Sequence, residues 1–463
     1  MSFASLEFLI FFFVVFSVTL VLQRFKNKIY KEVFLLIASY FFYGYWDWRF
    51  MFLLLAVTFF AYLTALFVHK KAALVTGIVI PLAVLGFFKY FNFFLSSFSV
   101  LVGGKMGVLN IILPVGISFY TFQALSYVID VKRGLIKAEK SFIRLALYIS
   151  FFPQLVAGPI VKASEFLPQL DEDRRITLKN LECGIQLMVF GFLKKTVIAD
   201  HLSVFVDDVF LMPSEFHWLS IVLAVISYSI QIYFDFSGYS DIAIGCAKCF
   251  GYDFSVNFNL PYLAHNVTVF WRRWHISLSS WLREYLYIPL GGNRKGKARQ
   301  YLNLFITMLL GGLWHGANWT FIVWGAMHGL ALCIDKVLPK KLSEKRIGRA
   351  AGILVTFSFV SFLWIFFRAE NFAVAWQVIK GIFTFQSGII QPFSWSFVAI
   401  AAVVSASAMA MYRSKKNNEA SVNGFYPLFD LNTVPGLTVL FIEIGLILCL
   451  GFTGEHPFVY FQF

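Results

Sequence analysis

Charge is what this sequence has least of. Only 14% of its 463 residues are Asp, Glu, Lys or Arg, against 59% hydrophobic, and no hydrophilic stretch is long enough for a separate soluble domain. So little charge excludes an ordinary water-soluble globule, because a chain of this length cannot hide that much apolar surface from water. Cysteine is also scarce. Cys183, Cys246, Cys249, Cys333 and Cys449 are scattered and odd in number, which implies no disulfide framework. Cys246 and Cys249 form a C-x-x-C on an expected helix with no second pair nearby, so small packing residues are favoured over a redox or metal site. The H-E-x-x-H metal motif, the G-x-S-x-G elbow and the G-x-x-x-x-G-K-[ST] phosphate loop are all missing. No metal site is expected, and any transferred group has to arrive on an activated donor. There is no internal repeat of fixed period, which argues against a transporter built from repeated halves.

What the chain has instead is 57 phenylalanines and apolar runs of near-spanning length. These fall at about 7–22, 33–46, 50–68, 72–95, 109–129, 182–200, 218–234, 350–367, 395–411 and 434–452, besides one around residue 315. They predict an all-α polytopic membrane protein of roughly eleven or twelve crossings plus re-entrant or interfacial pieces. Helices are required because lipid cannot satisfy unpaired backbone groups. The first run follows no basic residue and precedes no small-residue cleavage site, so it is read as a retained helix.

The formal charge of +14 does not point to nucleic acid, because Lys and Arg sit in short loops between apolar runs. Clusters occur at Arg24–Lys31, Lys70–Lys71, Lys132–Lys140, Arg174–Lys179, Arg272–Arg299, Lys336–Arg349 and Arg413–Lys416. By contrast, 201–217 and the tail after 435 have none. The positive-inside bias makes the basic loops cytoplasmic and puts both chain ends on the outer side. One membrane domain, 1–463, is expected, with a last helix and outer tail at 434–463.

Residues 236–300 are the least membrane-like part, with Asp241, Asp253, Asn257, Asn259, His265 and several arginines among dense aromatics. Such a segment fits re-entrant or interfacial helices lining a cytoplasmic funnel. Read at helical period, 271–288 puts Trp271, Trp274, Leu278, Trp281, Leu282, Tyr285 and Ile288 on one side and Arg272, His275, Ser279 and Arg283 on the other. That pattern suits either an interfacial helix with snorkelling arginines or a helix presenting His275. Phe151–Ile160, with two prolines and a glycine in an apolar run, is either a tightly packed kink or backbone open to a cavity.

His315 is the residue of greatest interest. It lies in an apolar run from Leu302 to Ile334, flanked by Trp314, Gly311, Gly312 and Gly316, with Asn318 and Trp319 expected on the same helical face. An ionisable side chain at bilayer depth is a functional-site hypothesis by default. A neutral imidazole there is either a general base toward a hydroxyl or a hydrogen-bonded bridge between helices. His328, about thirteen residues on, is expected on the opposite face, and His69, His201 and His217 at solvated segment ends.

Several long motifs, in order, carry a resemblance. They are Leu113–Phe122, Phe152–Ile160, Asp235–Asp241, Phe270–Asn293, Gly311–Trp319, Trp324–Gly329 and the ending Phe458–Phe463. Together they resemble the membrane-bound O-acyltransferase (MBOAT) family, and most closely its bacterial alginate O-acetyltransferase branch. The resemblance implies helices enclosing a tunnel, an acyl group taken from a cytoplasmic thioester and a hydroxyl acceptor on the outer side. It implies that His315 matches the family's catalytic histidine and His275 its second histidine, with Trp314 and Asn318 as tunnel or oxyanion residues. It also implies acetyl-CoA as donor, its phosphates near Arg272, Arg273, Arg283, Arg294 and Lys295. The function implied is O-acetylation of an extracytoplasmic polysaccharide through an SGNH-hydrolase-like partner, in a bacterial cytoplasmic membrane. The ending Phe458-x-Tyr460-x-x-Phe463 is similar to one whose tyrosine accepts the acyl group in the family, whereas composition alone reads Tyr460 as an aromatic-belt anchor. A His-lined transporter and a non-catalytic scaffold for a glycan-modifying enzyme are the alternatives.

Overall fold

A computed structural model describes residues 1, 3, 5–103, 107–156, 158–172, 174–338, 346–395, 400–401, 404, 429–452 and 458–459. Among the described residues every regular element is a helix, and the extended backbone pairs only at an isolated bridge between Phe216 and Ile389. Among the described residues, five helices are long and apolar enough to cross a membrane: Arg49–Leu66, Lys71–Val102, Trp218–Cys249, Trp319–Val337 and Ile347–Arg368. Leu6–Leu22, Phe372–Phe383 and Val434–Leu450 are apolar but shorter.

The roughly eleven or twelve expected runs do not map one to one onto these helices, because several are broken or merged. The run from 72 extends into one helix containing a π-turn at Gly86–Tyr90. Within the run at 109–129, helix begins only at Ile117, after Gly116 turns the chain with φ +73°. A Cβ on Gly116 would lie 2.6 Å from the Leu155 carbonyl oxygen, so both the turn and the close approach require glycine there. The run at 182–200 is an α-helix, Leu178–Phe192, that continues as a π-helix, Leu193–Ala199. Most of 395–411 lies outside the described residues.

The chain forms two compact units, residues 1–188 with 239–255, and residues 189–238 with 256–463. In the first, Phe3, Phe8, Phe11, Phe42 and Phe152 form a continuous aromatic cluster. The break at 151–160 is packed rather than open. The Phe152 amide donates to Ser39 Oγ at 3.1 Å, the Gln154 side chain donates to the Tyr148 carbonyl, and the Tyr148 hydroxyl donates to the Val161 carbonyl at 2.9 Å. A cleft of about 570 Å³ on this unit is lined by Lys26, Lys28, Glu32, Arg144 and Asp171 and holds none of the expected site residues.

The second unit is built on a helical hairpin, Lys297–His315 and Trp319–Val337. Gly312 and Gly325 face each other so closely that a Cβ on Gly312 would stand 2.3 Å from the Phe321 carbonyl oxygen. One on Gly325 would stand 2.4 Å from that of Met308. Such backbone contact is what small residues permit between membrane helices. Gly312→Ala should therefore lower stability in detergent by about 1–3 kcal/mol, the usual cost of overpacking. Gly445→Ala, whose Cβ meets nothing within 4 Å, should be neutral or slightly stabilising. Thermal unfolding of the two variants checks this, and equal loss in both would remove the packing argument.

Candidate active site

Residues 271–288 do not form one helix. Val267–Trp271 is followed by a turn at Arg272–His275, then a helix Ile276–Leu282 and a π-turn Arg283–Tyr287. The turn ends on His275 at φ +41°, ψ +58°, a left-handed conformation uncommon for a residue with a side chain. This corrects the single polar face expected for Arg272, His275, Ser279 and Arg283. Arg272 and Arg283 are exposed, while His275 is fully buried. The apolar side holds from Trp271 to Tyr285, all buried, whereas Ile288 is exposed.

Asn257 explains the turn. Its backbone carbonyl accepts the Ile276 amide at 2.9 Å. Its side-chain oxygen accepts the Ser277 amide at 3.2 Å and the Ser277 hydroxyl at 2.9 Å, and lies 3.1 Å from His275 Nδ1. A backbone N–H can only donate, so the Asn257 atom facing it is the oxygen, and an amide oxygen can only accept. His275 Nδ1 therefore carries the proton and Nε2 the lone pair. Burial pushes the imidazole pKa down to about 3, which keeps it neutral. The one N–H of His275 is thus given to Asn257.

His315 is the last residue of its helix and is buried. The next residue, Gly316, is extended at φ −164°, and Asn318 caps the following helix, its side-chain oxygen accepting the Thr320 amide at 3.1 Å. The Asn318 amide donates to the Glu370 carbonyl at 2.7 Å. His315, Asn318 and Trp319 therefore do not share a helical face, and the Asn318 side chain is occupied in holding the hairpin loop. A Cβ on Gly316 would meet the Phe321 ring at 2.2 Å, so this glycine admits a ring of the same hairpin.

Three aromatic rings frame the His315 imidazole: Trp314, Trp324 and Phe367, with centroids 5.1, 5.1 and 5.2 Å away. Trp314 also lies 6.0 Å from the His275 ring, so one indole contacts both histidines. His275 is further packed edge-on to Phe236 at 4.6 Å. His328, expected on the far side of a continuous helix, instead joins the same cluster. It lies 4.7 Å from the Trp324 ring and accepts the Trp271 indole N–H at Nδ1, 3.3 Å away. The break at Gly316 restarts the helix, which voids the angular count from 315 to 328.

Of the expected cationic residues, Arg272, Arg283, Arg294 and Lys295 are exposed, and Arg273 is half-buried with a guanidinium N–H on the Leu260 carbonyl at 3.5 Å. Tyr460 lies outside the described residues. The two residues before it are buried: Phe458 rests on the Phe236 ring at 5.4 Å, and the Val459 amide donates to Asp235 Oδ2 at 2.9 Å. Asp235 belongs to an ion cluster that residue patterns did not reveal, with Lys195 Nζ 2.7 Å from both Asp200 and Asp235, all three buried. His201 is not a solvated end residue. Its Nδ1 donates to the Thr196 carbonyl at 3.2 Å.

Residues 135–376, which include the buried His275, His315 and His328, match the profile of the membrane-bound O-acyltransferase family. The chain belongs to that family. As an MBOAT protein it is an O-acyltransferase of the membrane. Among its relatives, probable alginate O-acetylase AlgI of Pseudomonas aeruginosa is 43% identical over 391 residues, covering 81% of this chain and 74% of the relative. The probable AlgI of Pseudomonas putida is 38% identical over 98% of this chain and 99% of its own. A peptidoglycan O-acetyltransferase of Helicobacter pylori is 38% identical over 77% and 74%.

The buried His275 makes stability depend on pH. Its pKa falls from 6.5 to about 3 on folding, so on acidification the unfolded chain takes up the proton first. Its contribution to stability is complete above pH 6.5 and is lost as pH falls toward 3. His275→Asn keeps a donor for Asn257 but does not titrate. Between about pH 6.5 and 5 the native protein should lose about 2 kcal/mol more than this variant. Parallel pH profiles in detergent melts would show that His275 is not buried neutral.

Proposed function

We propose that this MBOAT protein takes acetyl from cytoplasmic acetyl-CoA and passes it across the membrane for O-acetylation of an extracytoplasmic polysaccharide. The reaction class follows from the family, and relatives named as alginate O-acetylases and a peptidoglycan O-acetyltransferase support the reading of an acetyl group and a glycan acceptor. The observation that carries the reading is the pair of buried histidines that both contact Trp314, with Phe236 joining His275 to the C-terminal segment.

In this reading His315 is the general base. A hydroxyl, that of Tyr460, attacks the thioester carbonyl while His315 takes its proton. The tetrahedral intermediate then collapses, the C–S bond breaks, and the departing thiolate recovers the proton from the imidazolium as free CoA thiol. The product is acetyl-tyrosine, whose acetyl an SGNH-hydrolase-like partner passes to the glycan. The single proton of the hydroxyl goes to His315, and His275, neutral with its Nδ1–H on Asn257, packs on Trp314 and so holds the indole that lies against His315. The exposed Arg272, Arg283, Arg294 and Lys295, with Arg273, attract the CoA phosphates. The protein sits in the bacterial cytoplasmic membrane as one membrane domain, with both termini on the outer side. Residues 256–300 contribute to the donor's cytoplasmic entrance.

His315→Ala should reduce acetyl transfer by about 10²- to 10⁴-fold, the range for a lost general base, while the protein remains folded and inserted. Glycan acetylation in cells and CoA release by protein purified in detergent measure it, and full activity would remove the assignment. Tyr460→Phe deletes only a hydroxyl. It should abolish acetyl-enzyme formation from labelled acetyl-CoA, and an acetylated Tyr460→Phe protein would exclude this carrier.

A further inference from the structure

The path of the C-terminal chain points to a seat built around a buried ion pair. After the helix Val434–Leu450, the Phe452 amide donates to the Thr196 carbonyl at 3.0 Å, and the Phe452 ring meets the His201 imidazole edge-on at 5.4 Å. Thr196 lies in the π-helix Leu193–Ala199, and so does Lys195. From the same turn Lys195 reaches Asp235 and Asp200 at 2.7 Å each. Asp235 Oδ2 then accepts the Val459 amide, while Phe458 packs on Phe236, the neighbour of Asp235. One π-turn thus holds the chain directly at Phe452 and, through Asp235, at Val459.

A carboxylate this deeply buried is costly unless paired and hydrogen-bonded, and Lys195 with the Val459 amide supplies both. The contact to the tail is made through the main chain, so it fixes the position of the backbone whatever side chain residue 459 bears. A backbone N–H on an ionised acceptor is also stronger than a neutral hydrogen bond.

We propose that Lys195, Asp200 and Asp235 are positioning residues that form the seat for the C-terminal segment at Phe458–Val459. Through it they determine whether Tyr460 is presented to the histidine site. The last clause rests on the reading of Tyr460 given above, and the seat itself does not.

Hydrogen exchange of the full-length protein in detergent, read by mass spectrometry on the peptide containing Phe458 and Val459, tests the seat. Asp235→Asn removes the charge that holds the tail, and Val459→Pro removes the tail's donor while leaving Asp235 charged. Asp235→Asn should raise exchange of the Val459 amide by about tenfold or more, the factor for losing a hydrogen bond to a charged group, and Val459→Pro should raise exchange at the remaining amides of this peptide, with the helix Lys297–His315 unchanged in both. Acetyl transfer should fall in the same variants. Unchanged exchange in both overturns the seat, and if Asp235→Asn does not fold, Val459→Pro decides alone. Faster exchange with undiminished transfer supports the seat and overturns presentation of Tyr460.

Discussion

The oxygen of the Asn257 side chain receives the Ser277 amide, the Ser277 hydroxyl and the His275 Nδ1–H inside a shell of aromatic rings. In such a shell an unmet donor is expensive, and the three donors leave Asn257 no freedom to rotate. Because that oxygen is fixed, the Arg272–His275 turn has one geometry, His275 has one tautomer, and Trp314 has a fixed ring on one side of its indole. The arrangement of the histidine pair follows from this one acceptor together with the glycine contact that brings the hairpin helices together.

The two histidines are held by different means. His275 is placed by polar contacts to a residue eighteen positions earlier in the chain, in a strained backbone conformation that those contacts maintain. His315 is placed at a helix end by aromatic rings and by backbone-to-backbone contact at Gly312 and Gly325. Polar contacts fix which nitrogen of His275 is basic, while the apolar frame around His315 limits access of water.

Much of the helical membrane architecture was legible, because apolar runs and sparse charge leave few alternatives, and His315 stood out as a titratable group among Leu, Ile and Met. His275 was found but faced the wrong way. A helical pattern over 271–288 fits the tryptophans well, and nothing within that window signals that Asn257 breaks it. His328 was set aside on an angular argument that fails once Gly316 interrupts the helix. The cluster of Lys195, Asp200 and Asp235 was invisible for a different reason. Lys195 and Asp200 share the run at 182–200, but Asp235 lies beyond the next run, so only the folded chain brings all three together. Gly325 and Gly329 carried a signal that was not used, since their four-residue spacing is a close-packing pattern for membrane helices.

The contact at Gly312 and Gly325 has a consequence for mechanics. Two helices touching through their main chains have no side-chain rotamers at the point of contact, so their separation is set by atomic radii alone. A group carried one turn beyond such a contact, as His315 is, inherits a position that thermal rearrangement of side chains barely disturbs. The hairpin acts as a rigid fulcrum, and movement needed to admit a donor or acceptor falls to the elements around it.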